Sequence, residues 1–268
     1  MVPRLACTCL LVAAAACAET RNDAPPPPGD PQQNSAEQIP ADPPDQWTHQ
    51  ADAFLKQVVT ERGLVKYAAV RQRLEPLRAL AAQLAPRRSF ATQRAKLALH
   101  INAYNLITIK QVVDHWPVKS VREVSGFFDR IKHRVNGVDT TLNNLENKII
   151  RPLGETRIHA ALVCAAVSCP PLRRGAYTAK DLGDQLDRIT RRWVNDTAKN
   201  RVEDGVLKVS MIFKWYRPDF DAEPYEGVAG FLARHADPDS PLGRRLRAGA
   251  PFRIEHLEYE WALNKADQ

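Results

Sequence analysis

Arg157-Ile-His-Ala-Ala-Leu-Val-Cys-Ala-Ala-Val-Ser-Cys-Pro-Pro-Leu172 holds a histidine, two cysteines and a double proline inside an otherwise apolar run. Arg157 to Cys164 is short, apolar on both of its alternating faces and followed by a proline-stiffened loop, so it is read as a buried strand central to the fold. Strand side chains alternate, which groups His159 with Arg157, Ala161 and Val163, and Cys164 with Ile158, Ala160 and Leu162. On that reading His159 and Cys164 point apart. Cys169, in the loop that Pro170 holds extended, is the sulfur able to fold back toward His159 and is the exposed thiol of the pair.

Outward from this segment, helices and hairpins are interspersed without a regular βαβ rhythm, which implies an α+β class: one domain of helices packed with short strands and hairpins. Helical spacing runs through 46–84 with a break at Gly63, and from about Thr92 to His115, where Trp116-Pro117 stops it. Asn136-Gly137 between two β-prone runs predicts a hairpin over 130–142, and Asp204-Gly205 predicts a second. A short helix is expected over 145–151. Thr178 and Asp181 resemble a capping box for a helix carrying Leu182, Leu186, Ile189 and Trp193. Phe252 to Leu257 reads as a last strand.

The chain opens like an export signal: Arg4, an apolar stretch from Leu5 to Ala16, then Ala16-Cys17-Ala18 as a small-residue cleavage pattern. That apolar stretch is shorter than the roughly 20 residues a membrane span requires. A lipoprotein signal with Cys17 as the lipidated residue is the alternative. The expected organisation is residues 1–18 as signal peptide, 19–46 as a disordered proline-rich linker containing Pro25-Pro26-Pro27-Pro28, and 47–268 as the folded domain. The location implied is the periplasm, free or tethered to the membrane through the N-terminus. The formal charge of +7 is dispersed over pairs such as Arg87-Arg88 and Arg191-Arg192 rather than gathered into a patch. With no recognition motif, this argues against nucleic acid as a partner and leaves a small molecule or an envelope component.

Asn102 and Asn105 lie three residues apart on one face of a helix that is apolar nearly all round, so both amides are expected to be buried and hydrogen-bonded. They either pin a neighbouring loop or bind a ligand. Once the N-terminus is removed at residue 18, Cys164 and Cys169 are the remaining cysteines. Three chemistries compete for them. Cys169 beside His159 makes a nucleophilic thiolate, with Glu146, Asn102 or Asn105 orienting the imidazole. Alternatively, Cys164 and Cys169 form a disulfide, as an oxidising compartment favours. A metal site of His159, Cys164 and Cys169 does not match familiar zinc spacing, and no metal or other cofactor is assigned. Phe213, Trp215 and Tyr216 read as core aromatics.

Ile101-Asn-Ala-Tyr-Asn105, the 157–172 segment, Ile212-Phe-Lys-Trp-Tyr216 with Asp219-Phe220, and Tyr259-Glu-Trp-Ala-Leu-Asn264 together resemble the domain of unknown function 547 family, an exported bacterial member of it. The resemblance covers most of 92–220. The chain has His100 where that family often has tryptophan, and Glu146-Asn147 where it often pairs glutamate with histidine. The resemblance implies that family's domain and strengthens the site, and it supplies no reaction. The chemistry therefore rests on a polar pocket with Cys169, His159 and Glu146 as catalytic candidates and Asn102, Asn105 and Ser168 as binding candidates. The leading expectation is a thiol-dependent hydrolase or acyl transferase acting on an amide or ester. The alternative is a non-catalytic binding module stapled by a Cys164–Cys169 disulfide.

Overall fold

The helix expected from Thr92 forms over Gln93–Asp114 and is the axis of the molecule: Thr92 accepts a hydrogen bond from the Ala95 amide, and almost every residue from Leu97 to Val113 is buried. A helix apolar on all sides has to be enclosed on all sides. In this computed structural model, which describes residues 45–249 and 253–266, it is one of ten helices, accompanied by five short strands. The expected signal peptide and all but the end of the expected linker lie outside the described residues.

In chain order, the helices are α1 (Gln46–Val58), α2 (Tyr67–Gln72), α3 (Glu75–Ala82) and the central α4 (Gln93–Asp114). Strands β1 (His133–Val135) and β2 (Val138–Thr140) are followed by α5 (Leu142–Asn144) and then α6 (Leu182–Val194). Next come β3 (Arg201–Glu203), β4 (Val206–Val209), α7 (Ile212–Trp215), α8 (Arg217–Asp221), α9 (Val228–His235), α10 (Pro241–Arg247) and β5 (Ile254–His256). The helix start expected at residue 46 is set by Asp45, which accepts from the Thr48 amide. Both hairpins turn where expected, with Asn136-Gly137 and Asp204-Gly205 in the left-handed region that this turn demands. β5 pairs in parallel with β4 to complete a three-stranded sheet in the order β3-β4-β5. The described residues thus form one α+β domain, as the sequence implies.

The segment expected to be a central strand is not one. Thr156–Ala160 is a 3-10 turn, begun by Glu155, whose carboxylate accepts from the Arg157 amide. The groups a sheet partner would have paired are taken by a side chain instead. Asn105 donates from Nδ2 to the Ala161 carbonyl at 2.9 Å, and its Oδ1 accepts from the Val163 amide at 3.0 Å. A short apolar run is compatible with any buried conformation, and here the neighbouring helices, not strands, cover it. The alternation that set His159 against Cys164 therefore does not exist.

The chain after β5 closes the structure. Residues 259–264 run back along 165–168: Val167 and Ser168 donate to the carbonyls of Ala262 and Glu260, and Asn264 donates to that of Ala165. Leu263 also donates to Lys119, and Tyr67 Oη donates to Asn264 Oδ1 at 2.7 Å.

Replacing Asn105 with Ala leaves a buried carbonyl and a buried amide without partners. At about 1–3 kcal/mol for each unsatisfied group, the variant is expected to lose about 2–6 kcal/mol in a urea titration, whereas a loss below 1 kcal/mol would show that the carboxamide is not what holds 161–163.

Candidate functional site

The 3-10 turn and the loop after it bring His159, Cys164 and Cys169 to one wall of a pocket of about 320 Å³. Ala165, at a φ of 64°, turns the chain sharply after Cys164, and Cys169 returns to it with a Cα–Cα distance of 6.3 Å, where the two sulfurs are joined. The disulfide alternative is therefore the one the structure holds. Cys169 is 3% exposed, less than Cys164, which reverses the expectation that Cys169 is the exposed one of the pair. The bridge takes both sulfurs out of the thiolate and metal readings alike. Tyr259 lies against it, with its hydroxyl 3.0 Å from Cys164 Sγ and 3.2 Å from Cys169 Sγ.

His159 is 3% exposed, and its Nε2 is 2.8 Å from Asp219 Oδ2. Arg151 binds the same carboxylate through Nε and Nη2 at 2.8 and 2.7 Å, and its Nη1 donates to Asn147. Burial works against the charge of Asp219, but the hydrogen bonds from His159 and Arg151 outweigh it and hold the carboxyl well below the usual carboxylate range. An ionised Asp219 accepts only, so Nε2 of His159 carries the proton. Asp219, not Glu146, Asn102 or Asn105, orients the imidazole. The Tyr216 ring packs 4.2 Å from the imidazole, between centroids, and the Arg151 guanidinium lies 5.2 Å from the same ring.

Glu146 faces the pocket from a π-helical turn, Leu145–Ile150, that continues α5. Such turns change the direction in which a helix presents its side chains and recur at functional sites. Its carboxylate is felt by three hydroxyls around it. Burial first, and then the Glu146 charge, push Tyr104, Tyr216 and Tyr259 above the ordinary phenol range. All three are therefore neutral hydroxyls near neutral pH. Phe128 and Leu162 add apolar wall, and at the mouth Trp215 stacks on Trp261 at 5.9 Å and packs on Tyr259 at 4.7 Å.

Of the sequence-derived candidates, His159, Cys169 and Glu146 meet at this pocket, and the three binding candidates do not line it. Asn105 is committed to 161–163. Asn102 clamps the backbone of Tyr177, donating to its carbonyl and accepting from its amide at 2.8 Å each. Ser168 accepts from the Glu260 amide and so tethers the closing segment. Both asparagines thus follow the loop-pinning alternative. Of the aromatics expected in the core, Phe213 is there, whereas Tyr216 walls the pocket and Trp215 is 46% exposed at its mouth. Tyr104, Asp219, Tyr259 and Trp261 had no assigned role. The sequence signal that bore on them was their place within the family motifs, since pairings 60 to 95 residues apart leave no periodic trace.

Residues 88–194 match the model of the family described as protein of unknown function, DUF547. Over that span, less than half of its length, the chain is matched as a DUF547 domain. No curated protein and no solved structure matches the chain. The matched span supplies Glu146, His159 and both cysteines, while Asp219, Trp215, Tyr259 and Trp261 come from beyond it, so the DUF547 match covers only part of the pocket.

Iodoacetamide is expected to leave Cys164 and Cys169 unlabelled in native protein and to label both after reduction and unfolding, as peptide mass spectrometry would read. For a loop this short, replacing both with Ser is expected to cost about 2 kcal/mol. Rapid labelling without reductant would mean that the bridge is not the resting state.

Asp219 sets an acid limit. A carboxyl whose folded-state pKa lies below its unfolded value stabilises the fold above that unfolded value, roughly pH 4, and the contribution fades as pH falls toward the depressed one. Asp219→Asn is expected to be less stable than wild type at pH 6–7 and to lose less further stability between about pH 5 and 3. Parallel stability curves for the two proteins would contradict this.

Proposed function

We propose that this protein is a binding module of the cell envelope and that the pocket beside the disulfide takes a small ligand. The observation that carries the reading is the composition of the pocket: six aromatic rings, a buried carboxylate and an oriented histidine around about 320 Å³, with both sulfurs already bridged. A pocket near the lower end of the range of ligand sites, largely apolar with a few converging polar groups, is the ordinary form of a small-molecule site. Placement in the envelope rests on the N-terminal signal pattern, the proline-rich spacer and a disulfide that an oxidising compartment maintains. Among the described residues no helix is long and apolar enough to cross a membrane. The membrane tether proposed is a lipid on Cys17.

A second reading has one observation in its favour: the Asp219–His159 pair borders the same pocket as the bridge. If the bridge is reduced, a thiol beside an oriented imidazole is the apparatus of acyl transfer to cysteine.

A ligand-observed NMR screen of a few hundred fragments against the oxidised protein tests the first reading. Pocket binders are expected, and Trp215→Ala at the mouth is expected to weaken them about tenfold without changing the melting temperature by more than about 2 °C. Absence of any binder sensitive to Trp215→Ala would refute the binding module. Turnover of an activated ester that appears only after reduction, and is lost in His159→Ala, would favour the second reading.

A further inference from the structure

Glu146 is the group that a pocket for a neutral ligand does not explain. It is 8% exposed, and among the described residues no cation pairs with it. Arg151, whose guanidinium feels the Glu146 charge, is already bound to Asp219 and Asn147. Holding a carboxylate away from water is costly unless a charge of opposite sign or a full set of donors meets it. The nearby donors are tyrosine hydroxyls, which lower that cost without neutralising the charge.

The walls point the same way. His159 is the one lining residue able to carry positive charge, and its Nε2 proton is already given to Asp219. The other ring nitrogen has no hydrogen-bond partner among the described residues and acts as an acceptor when the ring is neutral. Beyond the disulfide, the neutral amide of Asn143 and the aliphatic side chains of Leu162 and Ile212, the walls are the rings of Tyr104, Phe128, Trp215, Tyr216, Tyr259 and Trp261. Aromatic faces carry negative quadrupoles that attract cations, most strongly where water is excluded. An anion entering this space would meet Glu146 and ring faces with no compensating charge.

On the reading of the pocket as a ligand site, we propose that its ligand is an organic cation, a protonated amine or quaternary ammonium on a compact apolar body, with Glu146 as the counter-charge and the tyrosine and tryptophan rings as its cage. The π-helical turn is the device that directs Glu146 into that cage, and the closing segment 259–264 brings the two rings that complete it.

Calorimetric titration of the oxidised protein with three probes of matched shape tests this: choline, its neutral isostere 3,3-dimethylbutan-1-ol, and the anion 3,3-dimethylbutanoate. Choline is expected to bind about tenfold or more tightly than the neutral isostere, and the anion not at all. Glu146→Gln is expected to abolish the preference for the cation while retaining the isostere. Trp215→Ala, at an exposed position that does not hold the fold, is expected to weaken both. The wild-type ranking and Trp215→Ala decide the matter even if Glu146→Gln does not fold. Equal affinity for choline and the isostere, or tighter binding of the anion, overturns the cation assignment and leaves the pocket as a site of another class. No binding by any probe, with a fragment screen that also finds no pocket binder, overturns the pocket reading itself.

Discussion

The carboxamide of Asn105 holds two main-chain groups of an unpaired segment in the middle of the protein, and most of the site follows from that grip. A buried loop is expensive because its backbone donors and acceptors have neither water nor a ladder partner. By serving the Ala161 carbonyl and the Val163 amide from the central helix, Asn105 makes an irregular conformation affordable there. The irregularity is what places His159 and Cys164 on the same wall. In a strand they would have faced opposite sides, and the imidazole and the bridge would not share a pocket. Asn102 does the same for Tyr177, so one face of one helix fixes two separate loops.

The second layer of the site is electrostatic and is divided by distance along the chain. Arg151, Asp219 and His159 form a compensated cluster in which each charge has a partner. Glu146 lies close enough for Arg151 to feel it but receives none of its hydrogen bonds. A pocket that keeps one carboxylate outside an otherwise closed network has a sign, and the aromatic rings around it have the same sign. This is a stronger statement about ligand chemistry than pocket size or polarity allows, because shape admits many molecules and charge in a dry site admits few.

What the sequence made legible follows the physics of each signal. Hairpins at Asn136-Gly137 and Asp204-Gly205 and the helix start near Thr92 are local, encoded in two to four adjacent residues, and they form as read. The α+β class needs only the rhythm of such elements. The strand at 157–164 failed because burial on all sides erases periodicity, and with it went the opposition of His159 and Cys164. The two asparagines were legible as buried and satisfied, since their burial follows from helix position, whereas their partners did not. Asp219 as the partner of His159 is separated from it by 60 residues, and Tyr259 from Cys164 by 95, distances over which a single sequence carries no pairing information. Ser168, a binding candidate from the sequence, instead accepts from the Glu260 amide and secures the closing segment.

The bridge between Cys164 and Cys169 is part of the pocket wall, and the Tyr259 hydroxyl rests on both of its sulfurs. Thiol exchange requires an incoming sulfur to approach one of the bridged atoms in line with the bond. Both sulfurs line the pocket, so on the proposed reading a bound ligand would lie across an approach to the bridge. The rate at which a reductant opens the bridge would then report how full the pocket is, slowing as it fills and needing no label to be read.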